Sequence, residues 1–410
     1  AVPGGGPGVF ADSGLRLSEA VKETRVSEAM VLDRSGIDQL LSELRDRGYT
    51  TVGPTIREGA IVYDEISSTA DLPVGWTDHQ EGGHYELEDR KDDKLFGYVV
   101  GPHSWKRFLY PARAVVWTGE RSEVGITTLP PEDPPRYAFL GVRPCELAAV
   151  GIQDKVFMGN GSAPDQTYSG RRNGAFFVGV NCVEPGETCF CTSMGTGPRA
   201  GGGYDIALTE LIRGRTHHFL VETGSEAGED VLGSLGAARR VGEHDVTLAD
   251  DLLQEAAMQM GRQMDVAGIK ELLQRNLNHP QWSDVASRCL MCTNCTMVCP
   301  TCFCSTMEDS MDLSGTTAER VRTWDSCFTM DFSYINGGPI RPSRRARYRQ
   351  WMTHKLANWI DQFGVSGCVG CGRCITWCPV GIDITKEVAA IRASDGLLDA
   401  SRVPVPEVTT

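Results

Sequence analysis

The feature that most limits how this chain can fold is a cysteine pattern that occurs twice. Cys289, Cys292, Cys295 and Cys299 are spaced CxxCxxCxxxC and followed by Pro300; Cys368, Cys371, Cys374 and Cys378 repeat the spacing and are followed by Pro379. Three cysteines at such short intervals wrap a loop around three corners of an iron–sulfur cubane. The fourth sits one helical turn further on, too far round to reach the same cubane comfortably, and in two-cluster ferredoxins it ligates the other cluster. The proline then stops the segment from continuing as a regular helix. The pattern therefore predicts one [4Fe-4S] cluster on Cys289, Cys292, Cys295 and Cys378, and a second on Cys299, Cys368, Cys371 and Cys374. Such crossing requires the two repeats to lie side by side. Zinc is the competing occupant, but it usually takes two CxxC knuckles well separated in sequence, and the repeated three-plus-one run favours iron. Clusters held only by thiolates offer substrate no open position, so the expected task is electron transfer, with no catalytic residue in this chain.

The remaining cysteines are a second source of information. The chain has 410 residues and 15 cysteines, an odd number gathered into tight groups. Disulfide frameworks belong mainly to small secreted domains, so metal binding is the better reading. Two apolar runs each deliver a cysteine to a loop: AFLGV is followed by Arg143-Pro144-Cys145, and FFVGV by Asn181-Cys182. That placement suits a site at the ends of adjacent strands. A turn at Glu184-Pro185-Gly186 folds Cys182 back towards Cys189 and Cys191. These four thiols are candidates for a third iron–sulfur cluster, for a structural zinc, or for buried free cysteines. Cys302, Cys304 and Cys327 are left unassigned. Three cysteines do not complete a four-thiolate site; Asp325 is a candidate fourth ligand, and burial beside a cluster is the expected role.

The rest of the sequence predicts an α+β protein: a mixed α/β N-terminal domain followed by an α-helical, ferredoxin-like domain with two [4Fe-4S] clusters. Residues 1–30 read as a tail, 31–245 as the mixed domain, 246–391 as the dicluster domain and 392–410 as a second tail. A helix is expected around Ser35–Arg47, and strands at Ile61–Ile66, Ala114–Trp117, Tyr137–Val142, Ala175–Val180 and His218–Glu222. Leu248, Leu252, Ala256 and Met260 follow helical spacing behind a capping-box-like Thr247 and Asp250. Ser343 is placed to cap a helix bearing Tyr348, Met352, Leu356 and Trp359, and 305–342 reads as loop. No apolar run approaches the length of a bilayer span, and AVPGGGPGVF lacks the form of a secretory signal, so a soluble, cytoplasmic protein without membrane insertion is expected. A net charge of -14 repels phosphate backbones and argues against nucleic acid. Ser193–Pro198 is Gly-rich but lacks a dinucleotide pattern and reads as a tight turn. None of the eight histidines has a metal-binding spacing. Arg344, Arg345, Arg347 and Arg349 read as a solvated face, or more sharply as a docking stripe for an acidic partner.

Longer phrases carry a resemblance. CLMCTNCTMVCPTCFC, WDSCF, RYRQWMTHKL and GCVGCGRCITWCPVGIDI resemble the iron–sulfur beta subunit of soluble NAD(P)-linked [NiFe] hydrogenases, the sulfhydrogenases. The related A subunit of anaerobic sulfite reductase looks similar. The likeness continues through FGYVVGPHSWKRFLYPAR, GVRPCELAAVGIQDKVF and GVNCVEPGETCFCTSMGTGP, and spans roughly residues 35–392. It implies a non-catalytic electron-transfer subunit of a heteromeric complex. The partners would be a hydrogenase large subunit with the [NiFe] centre, a small subunit with further clusters, and a flavin subunit exchanging hydride with NAD(P)H. A subunit of a sulfite or polysulfide reductase, and a free-standing ferredoxin-like carrier, are the alternatives.

Overall fold

The computed structural model describes residues 29–395, apart from 100, 124, 131, 160–162, 215 and 237. The two expected tails lie almost wholly outside the described residues. The chain is α+β. Its N-terminal half is built on an eight-stranded sheet made of β1 (Met30–Leu32), β2 (Thr50–Arg57), β3 (Ala60–Glu65), β8 (Tyr137–Val142), β9 (Phe176–Val180), β10 (Ile206–Arg213), β11 (Thr216–Thr223) and β12 (Arg239–Arg240). The order is β12-β1-β11-β10-β9-β8-β2-β3. At its centre β2, β8, β9 and β10 run parallel, with Phe139 opposite Phe177 and Ala138 opposite Phe176. β9 is buried throughout, and β8 is buried beyond its first residue. These two strands accordingly read as unbroken apolar runs rather than as an alternation. Because they are parallel neighbours, their carboxyl ends open on the same side of the sheet, where open parallel sheets form their crevices.

The Arg34–Asp46 helix covers one face, capped by Asp33, whose side chain accepts from the Gly36 amide. The Pro144–Phe157 helix leaves directly from β8, with Pro144 in its first turn. A small hairpin, β4 (Trp76–Glu81) and β5 (His84–Asp89), leans on the second cysteine repeat: the Gly83 amide donates to the Ile375 carbonyl at 3.2 Å.

Two expectations need correction. Residues 305–324 are a hairpin, not loop. Strand β13 (Ser305–Met311) pairs with β14 (Thr317–Trp324), β14 pairs with β6 (Arg113–Ser122), and β6 pairs in turn with β7 (Gly125–Thr128). Asp312 accepts from the Thr316 and Thr317 amides and closes the turn. The strand signal is weak because both ends of this sheet stay in water: Met307 and Met311 are exposed, so little apolar alternation was needed. Nor do Thr247 and Asp250 open a helix. That helix runs Glu243–Met258, and Asp245 receives the Gly242 amide. The Ser343 cap is present, accepting from Ala346 at 3.2 Å. Its helix, Arg344–Thr353, continues through one π-turn (His354–Asn358) into Trp359–Phe363. Together with Ile269–Arg275, Gln281–Arg288 and Ile384–Ala393 it packs around Trp282, Met352, Leu356 and Ile391.

Candidate metal centres

The two repeats adopt one local conformation. In each, the third and fifth residues are left-handed: Met291 (φ 56) and Thr293 (φ 70) in the first, Gly370 (φ 68) and Gly372 (φ 73) in the second. A four-residue helix follows in both, Asn294–Met297 and Arg373–Thr376, and carries the third cysteine. The two short helices lie against each other, with Asn294 Nδ2 donating to the Trp377 carbonyl at 3.0 Å. The repeats are thus side by side, although the chain between them is long.

This pairing sorts the cysteines. Cys289, Cys292, Cys295 and Cys378 line one cavity, walled by Phe328, Tyr348, Trp351 and Ile382. Backbone amides point at two of these sulfurs: Met291 N lies 3.4 Å from Cys289 Sγ and Ile382 N lies 3.3 Å from Cys378 Sγ. Cys292 is exposed, and Leu290 and Val380 are exposed beside it. Cys299, Cys368, Cys371 and Cys374 are electrostatic neighbours behind this cavity, and Cys374 also reaches its wall. Burial pushes the Cys368 thiol up to about 12, against the pull of Lys355. Cys299 goes the other way and is held well below the usual thiol range, by a hydrogen bond from Cys302 and by the Lys355 ammonium.

The third set also converges. Cys145 at the start of its helix, Cys182 just beyond β9, Cys189 and Cys191 line a further cavity at the carboxyl ends of β8 and β9. Cys371 of the second repeat lines it too. Burial raises all four thiols, Cys191 to about 12. A metal entering here must displace protons. Ser193 and Met194 end the short Cys191–Met194 helix instead of forming a turn; the chain turns at Gly195 (φ 67), Gly197 and Pro198 line the cavity, and the Pro198 carbonyl receives the Cys182 amide at 3.0 Å.

Among the unassigned cysteines, Cys302 contacts Cys299, and Cys304 contacts Cys327; all three unassigned thiols are half-buried. Asp325 lies beside Cys304, its amide donating to the Cys304 carbonyl at 2.8 Å. Its carboxylate accepts from Thr306, Thr329 and the Ser326 amide at the base of the β13–β14 hairpin. The arginine run is not a plain solvated face either. Arg347 is buried and donates to the Cys327, Thr329 and Met330 carbonyls, while Arg344 reaches the Cys289 carbonyl at 3.3 Å. The histidines serve as local partners, as His218 does for Asp245 at 3.1 Å.

Sequence reasoning missed a buried ion pair that ties these centres together. Glu146, next to Cys145, and Arg373, between Cys371 and Cys374, meet at 2.6 Å with both side chains essentially inaccessible. Glu146 also accepts from Tyr63 and Trp105, and Arg373 donates to the Gly101 carbonyl. A charged residue inside each cysteine phrase was the available signal.

The paired repeats, their sulfur-directed amides and the thiols lining shared cavities are the features of an iron–sulfur protein that carries [4Fe-4S] clusters. Residues 288–382 match the family described as a 4Fe-4S dicluster domain. The beta subunit of sulfhydrogenase 2 from Pyrococcus furiosus is 34% identical over 265 residues, covering 64% of this chain and 75% of that protein. The chain belongs to the sulfhydrogenase beta-subunit family. No solved structure matches it, and among the described residues no helix is long and apolar enough to cross a membrane.

Proposed function

We propose that this chain is the iron–sulfur electron-transfer subunit of a hydrogenase complex, and that its two repeats ligate their clusters crosswise. The supporting observation is the position of Cys378. It comes from the second repeat yet lines the cavity of Cys289, Cys292 and Cys295. A thiolate-ligated [4Fe-4S] cluster takes up and returns single electrons without bonding a substrate. The chain's own residues set the surroundings. Phe328, Tyr348 and Trp351 keep water from the first cavity, and the Met291 and Ile382 amides hold its sulfurs. Cys299, Cys368, Cys371 and Cys374 form the second site, and Cys145, Cys182, Cys189 and Cys191 a third, with zinc as its alternative occupant.

The order in space follows from shared walls. Cys371 reaches the third cavity and Cys374 the first, so the second site lies between them. The exposed Cys292, collared by Leu290 and Val380, marks where a redox partner would approach. Partners of the expected kind are a nickel-bearing large subunit, a cluster-bearing small subunit and a flavin subunit, in the cytoplasm where thiols stay reduced. Cys378→Ser should alter the spectrum of the cluster whose other ligands lie near residue 290. Site-resolved spectroscopy in which only the residue-368 cluster changes would defeat the crossing. Cys145→Ala should remove one cluster's share of iron, and unchanged iron would return the third site to zinc or free thiols. Co-purification of a sirohaem-bearing subunit in place of a nickel-bearing one would overturn the assignment to a hydrogenase.

A further inference from the structure

The two repeats share a conformation but not an electrostatic setting. Lys355 sits on the π-turn with its side chain buried. Its ammonium donates to Cys299 Sγ at 3.2 Å, to Thr301 Oγ1 at 3.0 Å and to the Gly367 carbonyl at 3.0 Å. All three hydrogens are engaged, and none goes to a carboxylate. Of those acceptors, only the Cys299 sulfur can carry negative charge. Burying an ammonium without a counter-charge is strongly unfavourable. The lysine therefore needs an anion at the second site, and its donors reach both Cys299 and Gly367, the residue preceding Cys368.

The first cavity is served differently: Arg347, buried on the helix that walls it, gives its hydrogen bonds to the Cys327, Thr329 and Met330 carbonyls and none, among the described residues, to a sulfur of that site. Arg344 reaches the Cys289 carbonyl, but from an exposed side chain, where water screens it. Arg373, beside the second site, is neutralised by Glu146. Lys106, buried over the Trp324 ring and hydrogen-bonded to the Cys302 carbonyl at 3.1 Å, adds positive charge on the same side as Lys355. A buried cation and an N–H···S bond both favour the more negative, reduced state of a cluster.

We propose that Lys355 is the counter-ion of the second cluster and holds its reduction potential above that of the first, making it the electron sink of the pair. This rests on the crossed ligation proposed above. Lys355 acts through the Cys299 sulfur; it is a tuning residue rather than a catalytic one.

The test is an anaerobic redox titration of the native complex, followed by electron paramagnetic resonance. Lys355→Met should lower the second cluster's midpoint by at least about 59 mV, a tenfold fall in its reduced-to-oxidised ratio at fixed potential, and leave the first in place. Lys355→Arg, which keeps the charge, should stay close to wild type. If Lys355→Met fails to retain iron, Lys355→Gln removes the charge but keeps a donor, and its midpoint decides in the same way. A charge-free variant with full iron content and both midpoints unmoved overturns the inference, as does one in which both fall equally. Cys299→Ser separates this from the underlying reading. If that variant perturbs the residue-368 cluster while the lysine variants move nothing, the tuning role fails alone. If it leaves that cluster's spectrum intact, the crossed ligation fails with it.

Discussion

Replacing Arg373 by methionine should be among the most destabilising single changes in this chain. Methionine fills part of the space of the arginine stem but leaves the Glu146 carboxyl group without its ionic partner in a site 1% exposed. Removing one partner of a buried pair costs about 3–5 kcal/mol, because the other charge stays in the interior uncompensated. The Gly101 carbonyl loses its 2.9 Å donor as well, which adds about 1 kcal/mol. The expected loss is therefore about 4–6 kcal/mol, read as a shift in anaerobic urea denaturation. Glu146→Gln combined with Arg373→Met tests the cause. The amide oxygen still accepts from Tyr63 and Trp105, now without a stranded charge, so the double variant should be more stable than Arg373→Met alone by about 2 kcal/mol. Arg373→Met within about 1 kcal/mol of wild type, or a double variant no more stable than the single one, would refute the reasoning.

Two further outcomes follow from buried groups near the centres. Asp78 is buried beneath the Val99 amide, and burial raises its carboxyl from 3.8 to about 6. A raised carboxyl favours the folded state below the unfolded value, and that contribution is lost as pH rises through about 6. Asp78→Asn should therefore gain stability relative to wild type between pH about 4 and about 7, by about 3 kcal/mol in all, seen as diverging urea midpoints; a pH-independent difference would rule this out. Gly370→Ala would place a Cβ 2.6 Å from the Phe190 carbonyl at a φ of +68°. Left-handed strain and overpacking together predict a loss of about 2–4 kcal/mol, and iron loss from the third site before the first. A variant with unchanged melting and iron content would show that the two loops do not press on each other.

The sequence by itself determined the two local cysteine loops. Repeated short spacing is a local property, since three cysteines within seven residues must share one loop whatever surrounds them, and Pro300 and Pro379 end each unit. It also determined the strands that lead into Cys145 and Cys182, because a strand buried on both faces has to be apolar throughout. The sequence could not show why the second repeat uses Gly370 and Gly372 where the first tolerates Met291 and Thr293. The answer is non-local: a Cβ at Gly372 would lie 2.5 Å from the Thr188 carbonyl, in the loop that carries Cys189 and Cys191. The β13–β14 hairpin was hidden because its outer strand buries little. Lys355, Glu146 and Arg373 look like ordinary surface residues in a helical or polar phrase. Only tertiary packing takes them out of water, and a charge has its large effect on a neighbouring sulfur or carboxylate only after water, which would screen it, has been excluded.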